Sequence, residues 1–148
     1  MLIHKDPLTE LAKQIFVALG TTEDRALETA AHLVEANLKG HDSHGVGMIP
    51  TYVGSALNDR LQVNADATVE KDKGAVLLVD GNLGFGQVVG RQATDLGIER
   101  AKETGIACVG SRNNHHLGRI GTYGEHCARA GMVSVSYTHL TLPTMIGV

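Results

Sequence analysis

A short polar run, His41-Asp-Ser-His-Gly45, places two imidazoles, a carboxylate and a hydroxyl side by side. An imidazole with an ordinary pKa near ~6.5 can give or take a proton at neutral pH. Gly45 allows a sharp turn and a close ligand approach behind His44, and the hydroxyl of Ser43 can bind a substrate oxygen. Since most loop histidines are ordinary surface residues, two interpretations stay open for this run: a catalytic His44 or a solvated loop.

A second histidine-rich run, Asn113-Asn-His-His-Leu-Gly118, follows later in the chain. His116 could be oriented by its polar neighbours, and Gly118 exposes backbone N–H groups at a helix start, where phosphate or carboxylate groups bind. Arg119 could hold such an anion through two parallel hydrogen bonds. The alternative is a capped helix with solvated histidines and an exposed arginine. If the two runs converge, they form an active site.

Four histidines in two pairs also suggest a metal site. However, His41 and His44 are three residues apart and His115 and His116 are adjacent, which differs from the i,i+4 spacing of the HExxH zinc motif. We therefore expect no metal ion at these residues. A metal-dependent hydrolase remains an alternative function, and a non-catalytic fragment is another.

Apolar residues recur at helical spacing in the first part of the chain. Asp6-Pro7 and Thr22 are helix-start signals, and glycines mark the helix ends. His41 therefore lies just past a helix C-terminus, where the helix dipole stabilises a cation. The segment from Gln62 to Lys73 is polar and poorly periodic, so we predict a connection there. The predicted helices are 6–19, 22–39 and 51–61.

From Ala75 onward the pattern becomes strand, helix, strand, helix, strand, which predicts a layered sheet. Ligands of such sheets bind beyond the carboxyl ends of the strands, where His115 and His116 lie. Gly81, Gly84 and Gly86 match neither GxGxxG nor a Walker loop, so they indicate a tight turn, with Gly86 and Gly90 allowing close packing. The predicted strands are 75–79, 106–109 and 132–135.

The predicted fold class is therefore α/β, in the mixed α+β sense. We expect an N-terminal helical subdomain over residues 1–72 and the first part of an α/β sheet domain over residues 73–134. Residues 135–148 fit nothing before them, because Val135 to Thr144 resembles the peptide read from a translated sequencing adapter. We interpret 135–148 as an artefactual tail and exclude it from the fold.

The 148 residues carry a formal net charge of −3 with acids and bases interspersed. The sequence shows no basic face that could bind a phosphate backbone, so we expect no nucleic-acid partner. No segment has the roughly 18 apolar residues of a membrane span, and no leader is evident, so we expect a soluble cytoplasmic protein. Cys108 and Cys127 are expected to be small buried hydrophobic residues.

Three motifs taken together resemble the type-2 malate/L-lactate dehydrogenase family, and the resemblance extends from Leu8 to about Ser134. It implies a fold that is not a Rossmann domain, NAD or NADP as cofactor, and the interconversion of 2-hydroxy acids and 2-oxo acids by homodimers. The motifs are Ala36-Asn-Leu-Lys-Gly-His-Asp-Ser-His-Gly-Val-Gly-Met-Ile-Pro-Thr-Tyr-Val53, Gly84-Phe-Gly-Gln-Val-Val-Gly90 and Asn114-His-His-Leu-Gly-Arg-Ile-Gly121.

The resemblance also implies roles for individual residues. The catalytic group consists of Ser43, His44 and His116, and either histidine could give the proton. The cofactor contacts are expected from His44, Gly118, Arg119 and Ile120. Many family members carry an arginine at the position of Met48, so a bulkier or more apolar substrate is expected here. Family chains are substantially longer, and we expect this fragment alone to be inactive.

Overall fold

A computed structural model describes residues 3–136, and within this range it shows five α-helices and a three-stranded sheet. The mixed α/β fold class is confirmed. In chain order the elements are α1 Lys5–Ala18, α2 Glu23–Leu38, α3 Ile49–Leu57, β1 Thr68–Lys73, β2 Val76–Asp80, α4 Gly86–Thr104, β3 Cys108–Arg112 and α5 Gly121–Arg129. Two short 3-10 turns, Asp42–His44 and Val46–Met48, connect α2 to α3.

The main hydrophobic core joins the first three helices to the turn that precedes α4. Phe16 of α1, Leu33 of α2 and Tyr52 of α3 are all fully buried. The Phe16 ring meets Phe85 edge-on with ring centroids 5.3 Å apart, and it lies 6.2 Å from the ring of Tyr52. Such aromatic pairs add to the area that they bury. The core therefore fixes α3 against α4 at the point where the histidine-rich runs must meet.

The sheet brings two loops together. β2 pairs antiparallel with β1 and parallel with β3, in the order β1-β2-β3. The carboxyl ends of β2 and β3 therefore lie at the same edge. The following segments are joined by backbone hydrogen bonds, from Gly81 N to Arg112 O at 2.8 Å and from Leu83 N to Asn113 O at 2.7 Å. The second histidine-rich run begins at this edge, as predicted.

Strand β1 was not predicted, and the connection expected from Gln62 to Lys73 is wrong for residues 68–73. Every residue of β1 is exposed, so its sequence lacks the alternation that marks a half-buried strand. Its conformation is fixed instead by its backbone ladder with β2. The division into subdomains near residue 72 stays a prediction.

The predicted strand over Met132 to Val135 is also wrong. Residues 132–136 contain no strand, and Val133 and Val135 are exposed. A strand needs a neighbour with which to form hydrogen bonds, and the part of the chain that is described supplies none here. The tail expected over 135–148 lies outside the described residues from position 137 onward.

Smaller differences concern helix bounds and the two cysteines. The third helix covers Ile49–Leu57 rather than 51–61. Cys127 is half-buried, but Cys108 is exposed, so the prediction that it is buried is wrong. Cys108 begins β3, an outer strand of this sheet, which leaves its side chain uncovered. In the range 3–136, no helix has the length and apolar character needed to cross a membrane.

Close packing of α4 depends on two of its glycines, as the sequence predicted, although their neighbours are loop and helix groups rather than the sheet. A Cβ atom on Gly86 would overlap the carbonyl group of His116, and one on Gly90 would lie 2.8 Å from the hydroxyl of Tyr123. In contrast, a Cβ on Gly54 of α3 would have no atom within 4 Å. The two kinds of position allow a matched test.

We expect Gly86→Ala to lower the free energy of unfolding by about 1–3 kcal/mol, because the backbone of the His116 loop must move. The control Gly54→Ala should be neutral or stabilise by up to about 1 kcal/mol, since alanine is favoured inside a helix. Urea denaturation of both variants measures the difference. Equal stability of the two variants would contradict the packing described for α4.

Candidate active site

The two histidine-rich runs converge. The Nδ1 atom of His44 lies 3.0 Å from the Nε2 atom of His116, which is hydrogen-bond distance. Their rings are stacked with centroids 5.1 Å apart and an interplanar angle of 28°. Both side chains are half-buried. The loops that carry them are thus part of one site, which we call the histidine pair.

Asn37, near the end of α2, holds the first loop. Its Oδ1 accepts a hydrogen bond from Val46 N at 2.8 Å, and its Nδ2 donates to Asp42 Oδ1 at 2.5 Å. A Cβ on Gly45 would overlap the Asn37 amide, so glycine is required for this close approach. Asp42 therefore helps to position the loop through Asn37. His41 is exposed and lies just after α2, where its backbone N–H donates a hydrogen bond to Ala36 O at 2.8 Å.

The second loop is held by α4 and α5. His115 N donates to Gly84 O at 3.1 Å, and the His115–His116 carbonyls pack directly on Gly86. From α5, the Tyr123 hydroxyl donates to Leu117 O at 2.6 Å and lies 3.0 Å from Gly86 O. Tyr123 is 8% exposed, so this brace is shielded from water. Both loops are therefore tied to helices rather than free.

Two buried residues behind the histidine pair extend it into the core. The Tyr52 hydroxyl lies 2.8 Å from His116 Nδ1, and Gln87 Nε2 donates to that hydroxyl at 2.7 Å. Tyr52 is 0% and Gln87 is 1% exposed. The sequence analysis missed both residues. The available signal was a tyrosine in the apolar helix that directly follows the His44 loop. A buried phenol needs a hydrogen-bond partner, and this one lies close to the loop in sequence.

Burial sets the charge states in this chain of groups. It raises the pKa of Tyr52 to about 12, so the phenol stays neutral. It also lowers the pKa of His116, and the nearby His44 lowers it further. The facing nitrogens of His44 and His116 are at hydrogen-bond distance, so one hydrogen lies between them. The pair is therefore suited to hold one exchangeable proton.

One nitrogen of the pair remains open. His116 has a partner on each ring nitrogen, namely Tyr52 and His44. His44 uses its Nδ1 for His116, while its Nε2 has no hydrogen-bond partner among residues 3–136 and is not sealed from solvent. Within the described part of the chain, His44 Nε2 is thus the atom of the pair that is available to a ligand.

Arg119 is not the exposed arginine that one interpretation expected, and its role in binding an anion stays a prediction. Its guanidinium is 15% exposed and donates to Glu125 Oε1 at 2.6 Å and to Thr122 Oγ1 at 3.3 Å. Lys39, which directly follows α2, also binds Glu125. Hydrogen bonds from these two cations lower the pKa of Glu125 to about 2. The Arg119 charge is therefore balanced within the protein.

The turn that starts at Gly118 rests on a buried histidine that sequence reasoning missed. His32 Nε2 accepts a hydrogen bond from Arg119 N at 3.1 Å, and a Cβ on Gly118 would lie 2.7 Å from the same nitrogen. His32 is 7% exposed, and burial lowers its pKa to about 4. It is therefore a neutral acceptor at physiological pH. Of the other predicted residues, Ser43 is exposed and Ile120 is half-buried at the start of α5.

Comparison with known proteins places this site in a family. The sequence profile of the family described as malate/L-lactate dehydrogenase matches residues 3–146. The chain belongs to the malate/L-lactate dehydrogenase family.

Individual relatives agree with this assignment. Hydroxycarboxylate dehydrogenase B of Escherichia coli (strain K12) is 47% identical over 130 residues, covering 88% of this chain and 36% of the relative. The similarity to that protein indicated by the GHDSHG and GMIP runs is confirmed. A malate dehydrogenase of Pyrococcus abyssi is 37% identical over 145 residues, covering 96% of this chain and 40% of its own.

The fold agrees as well. The solved malate dehydrogenase from Pyrococcus horikoshii OT3 superimposes with a TM-score of 0.84 at 34% identity, over 88% of this chain and 38% of that one. Sulfolactate dehydrogenase from Methanocaldococcus jannaschii gives 0.83 at 34% identity, over 87% and 38%. The chain therefore spans little more than a third of the length of the relatives it matches.

The sequence analysis kept a metal-dependent hydrolase as an alternative function, because four histidines occur in two pairs. In the range 3–136, no group of three or more histidine, cysteine, aspartate or glutamate side chains is arranged to hold a metal ion. The facing nitrogens of His44 and His116 contact each other directly. The family to which the chain belongs is named for dehydrogenases and not for hydrolases.

The neutral His32 predicts a pH dependence of stability. Because its pKa is about 4 when folded and ~6.5 when unfolded, the unfolded chain binds more protons between these values. The free energy of unfolding should therefore fall as the pH is lowered through this window, by up to about 1.4 kcal/mol per pH unit. Urea denaturation from about pH 6.5 to 5.5 measures the slope, above the range in which carboxylates such as Glu125 contribute most.

The matched variant His32→Gln keeps a hydrogen-bond acceptor for Arg119 N but does not titrate. We expect a shallower slope in this variant, with the remainder due to His115 and His116, whose pKa values burial also lowers. An unchanged slope would show that His32 is not the buried neutral acceptor described.

Proposed function

We propose that this chain is the N-terminal part of an NAD- or NADP-dependent dehydrogenase that interconverts 2-hydroxy acids and 2-oxo acids, as a homodimer in the cytoplasm. The observation that carries the proposal is the hydrogen-bonded series from Gln87 through Tyr52 and His116 to His44, which ends on an open ring nitrogen. The named relatives act on malate, sulfolactate or hydroxycarboxylates. Such compounds share a hydroxyl group next to a carboxylate.

Reduction of a 2-oxo acid needs a hydride on the carbonyl carbon and a proton on the carbonyl oxygen. The bound nicotinamide cofactor supplies the hydride. The residues of this chain have the second task, which is to hold and deliver the proton and to stabilise the oxygen as negative charge develops on it. A histidine pair with one shared proton suits that task.

The proton can be followed atom by atom. With one added proton on the pair, His116 donates from Nδ1 to the Tyr52 oxygen and from Nε2 to His44 Nδ1. His44 then gives its Nε2 proton to the carbonyl oxygen and receives the His116 Nε2 proton at Nδ1. One proton leaves and the pair ends neutral, while the Tyr52 hydroxyl hydrogen can turn to His116 O at 3.5 Å. Oxidation of the hydroxy acid runs the same steps in reverse.

The residues expected at the cofactor fit a nicotinamide carboxamide in part. His44 offers its open Nε2, and the backbone N–H groups of Gly118 and Ile120 have no acceptor among residues 3–136. Such amides are suited to bind carboxamide or phosphate oxygens. We propose that the turn binds through this backbone rather than through the Arg119 guanidinium, which Glu125 already holds.

The substrate side is proposed to be apolar at Met48. This half-buried side chain packs against the main hydrophobic core, and an uncharged thioether offers no ionic partner for a second carboxylate. Ser43, exposed beside His44, can bind the carboxylate that every 2-oxo acid carries. The remaining contacts would come from the part of the family fold that this chain does not span, so we propose that the chain alone is inactive.

The function is tested by restoring that part. Residues 1–134 are fused to the C-terminal portion of the Escherichia coli hydroxycarboxylate dehydrogenase B, and the parent enzyme serves as the positive control. Oxidation of NADH and NADPH is followed at 340 nm with a panel of 2-oxo acids that carry apolar, polar and acidic side chains. Turnover is expected, with apolar side chains preferred. Absence of turnover with every substrate, while the parent is active, would refute the proposal.

In the same fusion, His44→Gln and His116→Gln should each lower kcat/KM by about 10²–10⁴-fold, since each removes one site of the proton path. The control His41→Gln changes an exposed histidine of the same loop and should leave kcat/KM unchanged. Steady-state kinetics with the best 2-oxo acid measures the three variants. Similar losses in all three would indicate damage to the loop instead of loss of a proton donor.

A further inference from the structure

A cavity of about 190 Å³ lies on the far side of Gln87 from Tyr52, between α2, α4 and α5. Buried His32, Gln87 and Tyr123 line it, together with Glu28, Arg91 and His126. This volume is far larger than the ~10–15 Å³ that one water needs by the same kind of measure. With polar groups around it, the cavity is suited to hold several waters.

Gln87 is incompletely bonded by the protein. Its Nε2 donates a hydrogen bond to the Tyr52 hydroxyl, but its Oε1 is buried and has no hydrogen-bond partner among residues 3–136. A buried acceptor left without a partner is unfavourable, because it has lost its hydrogen bonds to water. Because Gln87 lines the cavity, water there can supply the missing donor.

We propose that water in this cavity binds Gln87 Oε1, keeps the amide N–H on Tyr52 and thereby sets the direction of every hydrogen bond up to His44. Gln87 is then a positioning residue for the reaction proposed above, and the inference rests on that function. A half-turn of the amide exchanges a donor for an acceptor at the position that faces Tyr52. The end of the amide that faces Tyr52 therefore decides which way the hydrogen bonds to His116 and His44 point.

The consequence can be read from the neutral state. With the amide N–H on the Tyr52 oxygen, the phenol of the neutral site donates to His116 Nδ1 at 2.8 Å in preference to His116 O at 3.5 Å. This requires the His116 proton to be on Nε2. His116 Nε2–H then donates to His44 Nδ1, so His44 carries its proton on the open Nε2. The reverse orientation of Gln87 would make Tyr52 a donor to the amide and leave His44 Nε2 bare. The amide thus decides whether the resting site presents a proton donor or an acceptor.

Tautomers are measured directly by ¹⁵N-histidine NMR of the fusion protein at about pH 8, where free imidazole is neutral. We expect both His44 and His116 as single Nε2–H tautomers. Gln87→Met removes the amide while keeping the size of the side chain, and we expect mixed tautomers at both histidines. Single Nδ1–H tautomers in the unmodified protein, or single Nε2–H tautomers retained in Gln87→Met, would overturn the role of Gln87.

The role of water is tested separately, with a variant that changes neither histidine of the pair. Ala31 lies on α2 at the cavity, so Ala31→Leu places apolar atoms there and should displace water. Mixed tautomers are expected in this variant too. The matched control Ala128→Leu, on an exposed position of α5 outside the cavity lining, should keep single tautomers. Unchanged tautomers in Ala31→Leu would overturn the water anchor.

Kinetics complete the test. If Gln87 positions the proton, Gln87→Met should lower kcat about tenfold with little change in KM, and should change the pH profile of 2-oxo acid reduction. A purely structural role would change neither the pH profile nor the tautomers. If the unmodified fusion shows no turnover, the proposed function fails, whereas the NMR measurement still decides the role of Gln87.

Discussion

The hydrogen bond between His44 and His116 is the contact on which the rest of the site depends. It joins loops that are 72 residues apart in the chain, so neither loop alone can set its geometry. Each loop is instead fixed from behind, the first by the Asn37 amide and the second by Gly86 and the Tyr123 hydroxyl. A small displacement of either support would change a 3.0 Å contact into two separate solvated imidazoles.

Tyr52 couples this contact to the stability of the fold. Its ring belongs to the core with Phe16 and Phe85, while its hydroxyl joins Gln87 to His116. Burying a phenol oxygen is unfavourable unless its hydrogen-bonding capacity is used, and here two partners use it. The residue that fixes α3 in the core therefore also contacts a ring nitrogen of a site histidine. Stability and chemistry cannot be changed independently at this position.

The sequence predicted the parts of the molecule that depend on local patterns. The first two helices agree with their apolar spacing and glycine stops, and the second histidine-rich run was placed correctly beside the strand ends. Strand β1 could not be predicted, since it is wholly exposed and is defined by its pairing partner. Gln87 and His32 could not be predicted either, because a polar residue on a buried helix face acquires its role only from residues distant in the chain.

The site has an inner and an outer layer, which should carry different parts of the chemistry. The inner layer of His32, Tyr52, Gln87 and His116 is bonded to the protein on nearly every side and determines where protons reside. The outer layer, Ser43 with the open nitrogen of His44, is what a ligand can reach. Proteins named for malate and for sulfolactate share this region of the fold with TM-scores above 0.8. The compounds in these names differ beyond the common hydroxy acid group, so under the proposed function a residue at the substrate side chain, such as Met48, would discriminate between them, and not the inner layer.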